Sequence, residues 1–216
     1  MKVACIFMPW YRRESPAPEF ASMIALVKGR GLKTFVFDLN NEIFSQKYSK
    51  RNYWKYFLLD TPDEEANTFF SEIEEIFKYY CAEIISRQPD IIIFKPIANT
   101  YMNAIRLAEM LKKENADRLI IFSGKYTINE QDIESAIKHQ KDSPFDFIIC
   151  GQDEVALPEL LEAIKINNMS SFDLAFKRKG KVVDCIGGPV LESLDELPFF
   201  DFSDFNLDSY KYPKKL

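Results

Sequence analysis

Five short apolar runs recur along the chain, and this rhythm restricts the fold more than any other feature. They are KVACIFM (2–8), KTFVFD (33–38), DIIIFK (90–95), RLIIFS (118–123) and FDFIIC (145–150). Runs of this length, apolar at nearly every position, predict strands buried on both faces of a sheet. Between them EFASMIALVKGRG (19–31), YMNAIRLAEMLKKE (101–114), NEQDIESAIKHQ (129–140) and DEVALPELLEAIK (153–165) space their apolar residues at helical intervals. Strands and helices in alternation predict an α/β fold. The expected form is a doubly wound, five-stranded parallel sheet of Rossmann or flavodoxin type. Right-handed crossovers that cover both faces give the order 2-1-3-4-5.

Two stretches depart from this rhythm. The connection from 39 to 88 is too long for a simple crossover and predicts a helical insertion. Phe69, Ile73, Ile76, Phe77, Tyr80 and Ile84 recur at helical spacing, so 64–87 reads as one long helix. The aromatic-rich part before it, with Tyr53, Trp54, Tyr56 and Phe57, reads as packing of a small subdomain rather than a lid. After residue 166 FDLAFKRKGKVVDCI (172–186) predicts two short strands around a Lys-Gly turn. The expected organisation is a sheet domain over 1–166, an appended β-hairpin over 167–190 and an extended strap over 191–216. That strap is rich in aromatics, so it should pack back on the domain or pair with another copy as a homodimer.

Bulk properties exclude several functions. A formal charge of −5 argues against nucleic-acid binding and against attraction to anionic membranes. No apolar run reaches transmembrane length, and the opening run is too short for a signal peptide. The four cysteines (Cys5, Cys81, Cys150 and Cys185) are scattered, without metal-site spacing, and a reducing cytoplasm suits them. His139, the sole histidine, ends a helical pattern, where a cation is favourably placed, and is not a catalytic candidate. No P-loop, G-x-G-x-x-G or G-x-S-x-G motif occurs. The chain alone shows no catalytic core.

In an open parallel sheet, ligands bind at the carboxyl ends of the strands. That rule selects Met8, Pro9 and Trp10, the turn after Asp38, Lys95 to Thr100, Ser123 to Tyr126, and Gly151 to Glu154. Ser123-Gly124 would let the backbone approach a bulky ligand closely, although a plain tight turn has the same composition. Gly151-Gln152-Asp153-Glu154 is a good helix start as well as a rim loop.

Three segments carry a resemblance that covers nearly all the chain. FDFIICGQDEVALPELLEAI (145–164) resembles a strand, Gly-Glu-Gly-Glu turn and helix; Gln152 and Asp153 replace the first Glu and second Gly. LDELPFFDFSDFNLDSY (194–210) resembles a linker in which Leu-Asp-x-Leu-Pro leads toward a catalytic core. IFMPWYRRESPAPEFASMIALVKGRGLKTFVFDLN resembles an opening whose Pro-containing first loop precedes a helix and a strand ending in Asp. The family is the amino-terminal cobalamin-binding domain of cobalamin-dependent radical S-adenosylmethionine (SAM) enzymes, most often methyltransferases.

The resemblance implies a base-off cobalamin held across the strand ends. Pro9, Trp10, Lys95, Asn99, Thr100, Ser123, Gly124, Lys125, Gly151 and Gln152 would be its contacts. It implies no protein histidine on cobalt, because the first loop lacks the Asp-x-His-x-x-Gly histidine of classical cobalamin domains. Lys95 stands where the family often has serine, and Ser123-Gly124 where it has two glycines. SAM and an iron–sulfur cluster are expected only in a downstream radical SAM domain, since C-x-x-x-C-x-x-C does not occur in this sequence. Two other readings stay open. One is a degenerate, cofactor-free scaffold or substrate-recognition module; the other is a flavodoxin-like domain unrelated to cobalamin, which leaves the LDELPFFDF strap without a reason.

Overall fold

The computed structural model describes residues 1–9, 14–46, 64–96, 100–123, 143–150, 153–170, 172, 180–184, 191 and 193–210. The strands are β1 (Lys2–Phe7), β2 (Lys33–Asp38), β3 (Ile91–Phe94), β4 (Leu119–Ser123), β5 (Phe147–Cys150) and β6 (Val182–Asp184). Helices are α1 (Pro18–Gly29), α2 (Leu39–Gln46), α3 (Glu64–Ser86), α4 (Tyr101–Glu114) and α5 (Asp153–Lys165). Two 3-10 turns, Leu194–Glu196 and Leu207–Ser209, punctuate the strap.

Among the described residues all strand pairings are parallel, and the order is β2-β1-β3-β4-β5-β6. The expected order of the first five strands is thus observed, but the sheet has six strands, not five. The sixth strand lies in the segment expected as a hairpin appended to the sheet. The second half of that segment is β6, which pairs with β5 in parallel (Ile148 opposite Val182), while 173–179 lies outside the described residues. α5 is the crossover that makes this pairing possible, since a parallel strand needs the chain to return along a helix.

Alternation along each strand splits the core in two. Ala4, Ile6 and Met8, with Ile92, Phe94, Ile120 and Phe122, face α2, α3 and α4. Val3, Cys5 and Phe7, with Ile91, Ile93, Ile121 and Ile149, face α1 and α5. α1 starts with Pro18 in its first turn, where the missing N–H costs nothing. It stops at Gly31, whose φ of +68° only glycine adopts readily, with the Gly31 N–H returning to the Lys28 carbonyl at 2.9 Å. α3 and α4 match the helices expected over 64–87 and 101–114. α2, directly after β2, falls within the helical insertion expected over 39–88, and the helix expected over 129–140 lies outside the described residues.

The strap packs back on the domain, one of its two expected outcomes. Phe205 and Tyr210 are buried with the α1/α5 core. Phe205 meets Phe20 edge to face at 5.7 Å, and the Asp201 N–H donates to the Ala21 carbonyl at 3.2 Å. Lys28 donates to Asp201 at 2.7 Å, to Ser203 at 3.1 Å and to Asp204. Among the described residues, no helix is long and apolar enough to cross a membrane.

Candidate functional site

The strand order reverses its winding between β1 and β3. α1 leaves β1 toward one face and α4 follows β3 on the other, so the loops after these two strands diverge. A crevice opens at such a point in doubly wound sheets. Four of the residues expected to line it are described: Pro9 follows β1, Lys95 follows β3, Thr100 directly precedes α4 and Ser123 ends β4. β1, β3 and β4 are neighbours, so these groups share one edge within a span of about 10 Å. Trp10, Asn99, Gly124, Lys125, Gly151 and Gln152 lie outside the described residues.

All four described groups are buried, Thr100 and Ser123 completely and Lys95 at 7% exposure. The Lys95 backbone N–H donates to the Ile6 carbonyl at 3.1 Å, which extends the β1–β3 pairing one residue past β3 and fixes where the Lys95 side chain starts. Lys95, Thr100 and Ser123 each have a polar or electrostatic interaction within the protein. A buried ammonium and two buried hydroxyls can donate to amide or phosphate oxygens.

Asn103 joins this set although its helical pattern drew no attention to it. It is 2% exposed, and its Nδ2 donates to the Pro9 carbonyl at 2.9 Å. That bond ties the loop after β1 to the first turn of α4, across the reversal point. A signal was available: Thr100, Asn103, Ala104, Leu107, Ala108 and Leu111 form one buried stripe of α4, and Asn103 breaks its apolar character. A buried amide in such a stripe needs a partner, so it marks a built contact.

The carboxyl end of β2 holds a second polar group. Asp38, Asn40 and Asn41 are buried. Asp38 Oδ1 accepts the Asn41 backbone N–H at 3.2 Å, and its Oδ2 accepts the Tyr210 hydroxyl. Burial pushes the Asp38 carboxyl up to about 6 against the pull of both hydrogen bonds. Burial also raises Glu42, which accepts from the Tyr80 hydroxyl. The sequence marked Asp38 only as a strand end, because Tyr210 stands 172 residues away.

The two cysteines whose side chains are described, Cys5 and Cys81, offer no reactive centre. Burial, and then the nearby Asp204 carboxylate, keep the Cys5 thiol protonated, and burial raises Cys81. Among the described residues, no cluster of histidine, cysteine or acidic side chains could hold a metal ion.

No family model matches the chain. A curated relative does. The chain is 22% identical over 145 residues to an uncharacterised methyltransferase of Pyrococcus horikoshii. The match covers 66% of this chain and 29% of that protein, so the chain spans less than a third of its relative's length. A distant homologue is therefore named for methyl transfer, which is compatible with a methyl-transfer role.

Proposed function

We propose that this chain is the cobalamin-carrying domain of a radical SAM methyltransferase. The observation that supports this reading best is the gathering of Pro9, Lys95, Thr100 and Ser123 on one carboxyl edge at the reversal point. The relative's name agrees with the reaction class. The donor types also fit: cobalamin carries amide arms and a phosphate, which hydroxyls and an ammonium can hydrogen-bond. The only histidine of the sequence is His139, well outside the first loop, so no imidazole from this edge is assigned to cobalt.

When bound, the cofactor supplies a cobalt centre able to carry a methyl group. The chain's own residues do the holding. Ser123 and Thr100 would bond amide oxygens, and Lys95 the phosphate or a neighbouring amide. Asn103 would keep the first loop in place through Pro9. SAM and the iron–sulfur cluster belong, in this proposal, to a downstream domain of the parent protein.

A second reading has its own observation. Lys95, Thr100 and Ser123 are buried and already engaged within the protein, as expected of a closed edge that serves a cofactor-free scaffold. Mixing the purified chain with hydroxocobalamin, desalting it and recording the corrin absorption bands separates the two. The cofactor reading predicts retained, saturable corrin, and at least about tenfold weaker retention in Ser123→Leu, whose side chain would fill the edge. No retained corrin and no saturable titration would leave the scaffold reading standing.

A further inference from the structure

The end of the strap meets β2 and α2 through contacts that neither the sheet nor a ligand site requires. Asp38 caps α2 by accepting the Asn41 N–H, and its other oxygen accepts the Tyr210 hydroxyl. The Asn41 side chain in turn donates to Ser209 Oγ at 2.5 Å and to the Asn206 carbonyl at 3.4 Å. Ser209 Oγ donates to the same carbonyl at 2.5 Å. Asp38 and Tyr210 are 7% and 5% exposed. Five residues from segments more than 160 residues apart thus close into one clasp.

The charges around Asp38 are of one sign. From the strap it faces Tyr210, and from α2 the Asn41 N–H and the Glu42 carboxyl. α3 contributes Tyr80, which donates to Glu42, and Glu83, whose charge also raises Glu42. Among the described residues no cation bonds to Asp38. Burial and the neighbouring acids raise the Tyr210 hydroxyl, so it stays a donor throughout the working pH range. An ionised Asp38 in this position gives up water and gains no ion pair.

We propose that the clasp between Asp38–Asn41 and Asn206–Ser209–Tyr210 is a proton-operated latch, which holds the strap's end over β2 while Asp38 is protonated and loosens when Asp38 ionises, with the sheet remaining folded. Release of the strap returns water to Asp38 and moves its carboxyl from about 6 back toward the ordinary 3.8. The held form therefore binds the proton more tightly. Its advantage is complete below 3.8 and is lost as pH rises through 6. Over the whole range the closing equilibrium changes by roughly a hundredfold, and between pH 5 and 7.5 by about tenfold. Above that range Phe205 and the Lys28 contacts still restrain the strap, so release is local.

Hydrogen exchange resolved to peptides, corrected for the intrinsic pH dependence of exchange, tests the latch. Peptides over 201–210 report the strap, and those over β1 and β3 report the sheet. Opening of the strap should rise about tenfold from pH 5 to 7.5 while the sheet stays protected. Asp38→Asn keeps a polar side chain without the titration and should flatten that rise. Tyr210→Phe keeps the titratable carboxyl, removes one bond that favours its charged form, and should open the strap at every pH with the midpoint moved upward. The proposal is overturned by a wild-type strap insensitive to pH, by an Asp38→Asn slope equal to wild type, or by β1 and β3 opening in step with the strap. Should Asp38→Asn fail to fold, the Tyr210→Phe midpoint decides alone.

Discussion

The two faces of the sheet are closed by different means. On one face α2, α3 and α4 cover an aromatic cluster in which Phe145 lies 4.9 Å from Phe122 and 5.9 Å from Phe94, ring to ring. Tyr101 of α4 packs edge-on to Phe122 at 5.3 Å. The other face has α1 and α5, and Phe7 stacks on Phe20 at 5.2 Å. There Phe205 and Tyr210 of the strap complete the layer. Helices carry their own backbone hydrogen bonds, whereas the described strap has only two three-residue turns. Its order is borrowed from side-chain anchors: Phe205 in the core, Lys28 on Asp201 and Asp204, and Tyr210 on Asp38. One face should therefore come apart only with the whole domain, and the other in two stages.

The largest expected effect lies on the helical face. Phe145 is fully buried against Phe94 of β3 and Phe122 of β4, and Phe145→Ala leaves a cavity that close-packed neighbours fill only partly. We expect a loss of about 3–5 kcal/mol, hence a fall in melting temperature on the order of 10 °C, in one cooperative transition. On the strap face Phe205→Ala should cost less, about 1–3 kcal/mol, because the strap can detach and cap the loss. Proteolysis within 199–210 should then accelerate well below the melting temperature. Equal thermal losses from the two variants, without a strap-specific increase in cleavage, would show that both faces open together. The exposed Phe199, 99% accessible, and Phe200 beside it are the natural sites for a chymotrypsin-type protease.

The same contrast governs what the sequence disclosed. Wherever order comes from local period, the residues show it. β2 and α4 occupy the expected spans, the long helix over 64–87 appears as Glu64–Ser86, and the buried runs give the first five strands in their order. The run after the Lys-Gly turn reads locally as a strand, which β6 is. Its place as a sixth strand, parallel beside β5, depends on a crossover over α5 that no local pattern shows. Asp38 shows the same limit. Its cap on α2 is local and could have been read from Asp38 preceding Leu39, Asn41 and Ile43. Its bond to Tyr210 crosses most of the chain and follows no spacing rule. Of the candidate edge, the rule of strand ends selected Pro9, Lys95, Thr100 and Ser123, but Asn103 needed the buried stripe of α4 to be laid out first.

The smallest expected effect separates the strap's two polar anchors. Lys28 bonds Asp201 and Asp204 where all three side chains are a quarter to two-fifths exposed, so water and salt screen the attraction. Lys28→Met should cost about 1 kcal/mol or less, and the wild-type anchor should weaken in high salt while the Asp38 clasp does not. The pH senses are opposite. The Lys28 bond, then bonds from Ser203, hold the Asp201 carboxyl down at about 2. Its contribution is present above the ordinary 3.8 and lost as pH falls toward 2. Strap opening in the wild type should therefore rise at both ends, steeply from about pH 4 to 6 through Asp38 and weakly below pH 4 through Asp201. Lys28→Met should remove only the acid limb, and Asp38→Asn only the other. A single variant that abolished both limbs would mean the strap is held by one cooperative unit, and the division of this face into two independent anchors would be wrong.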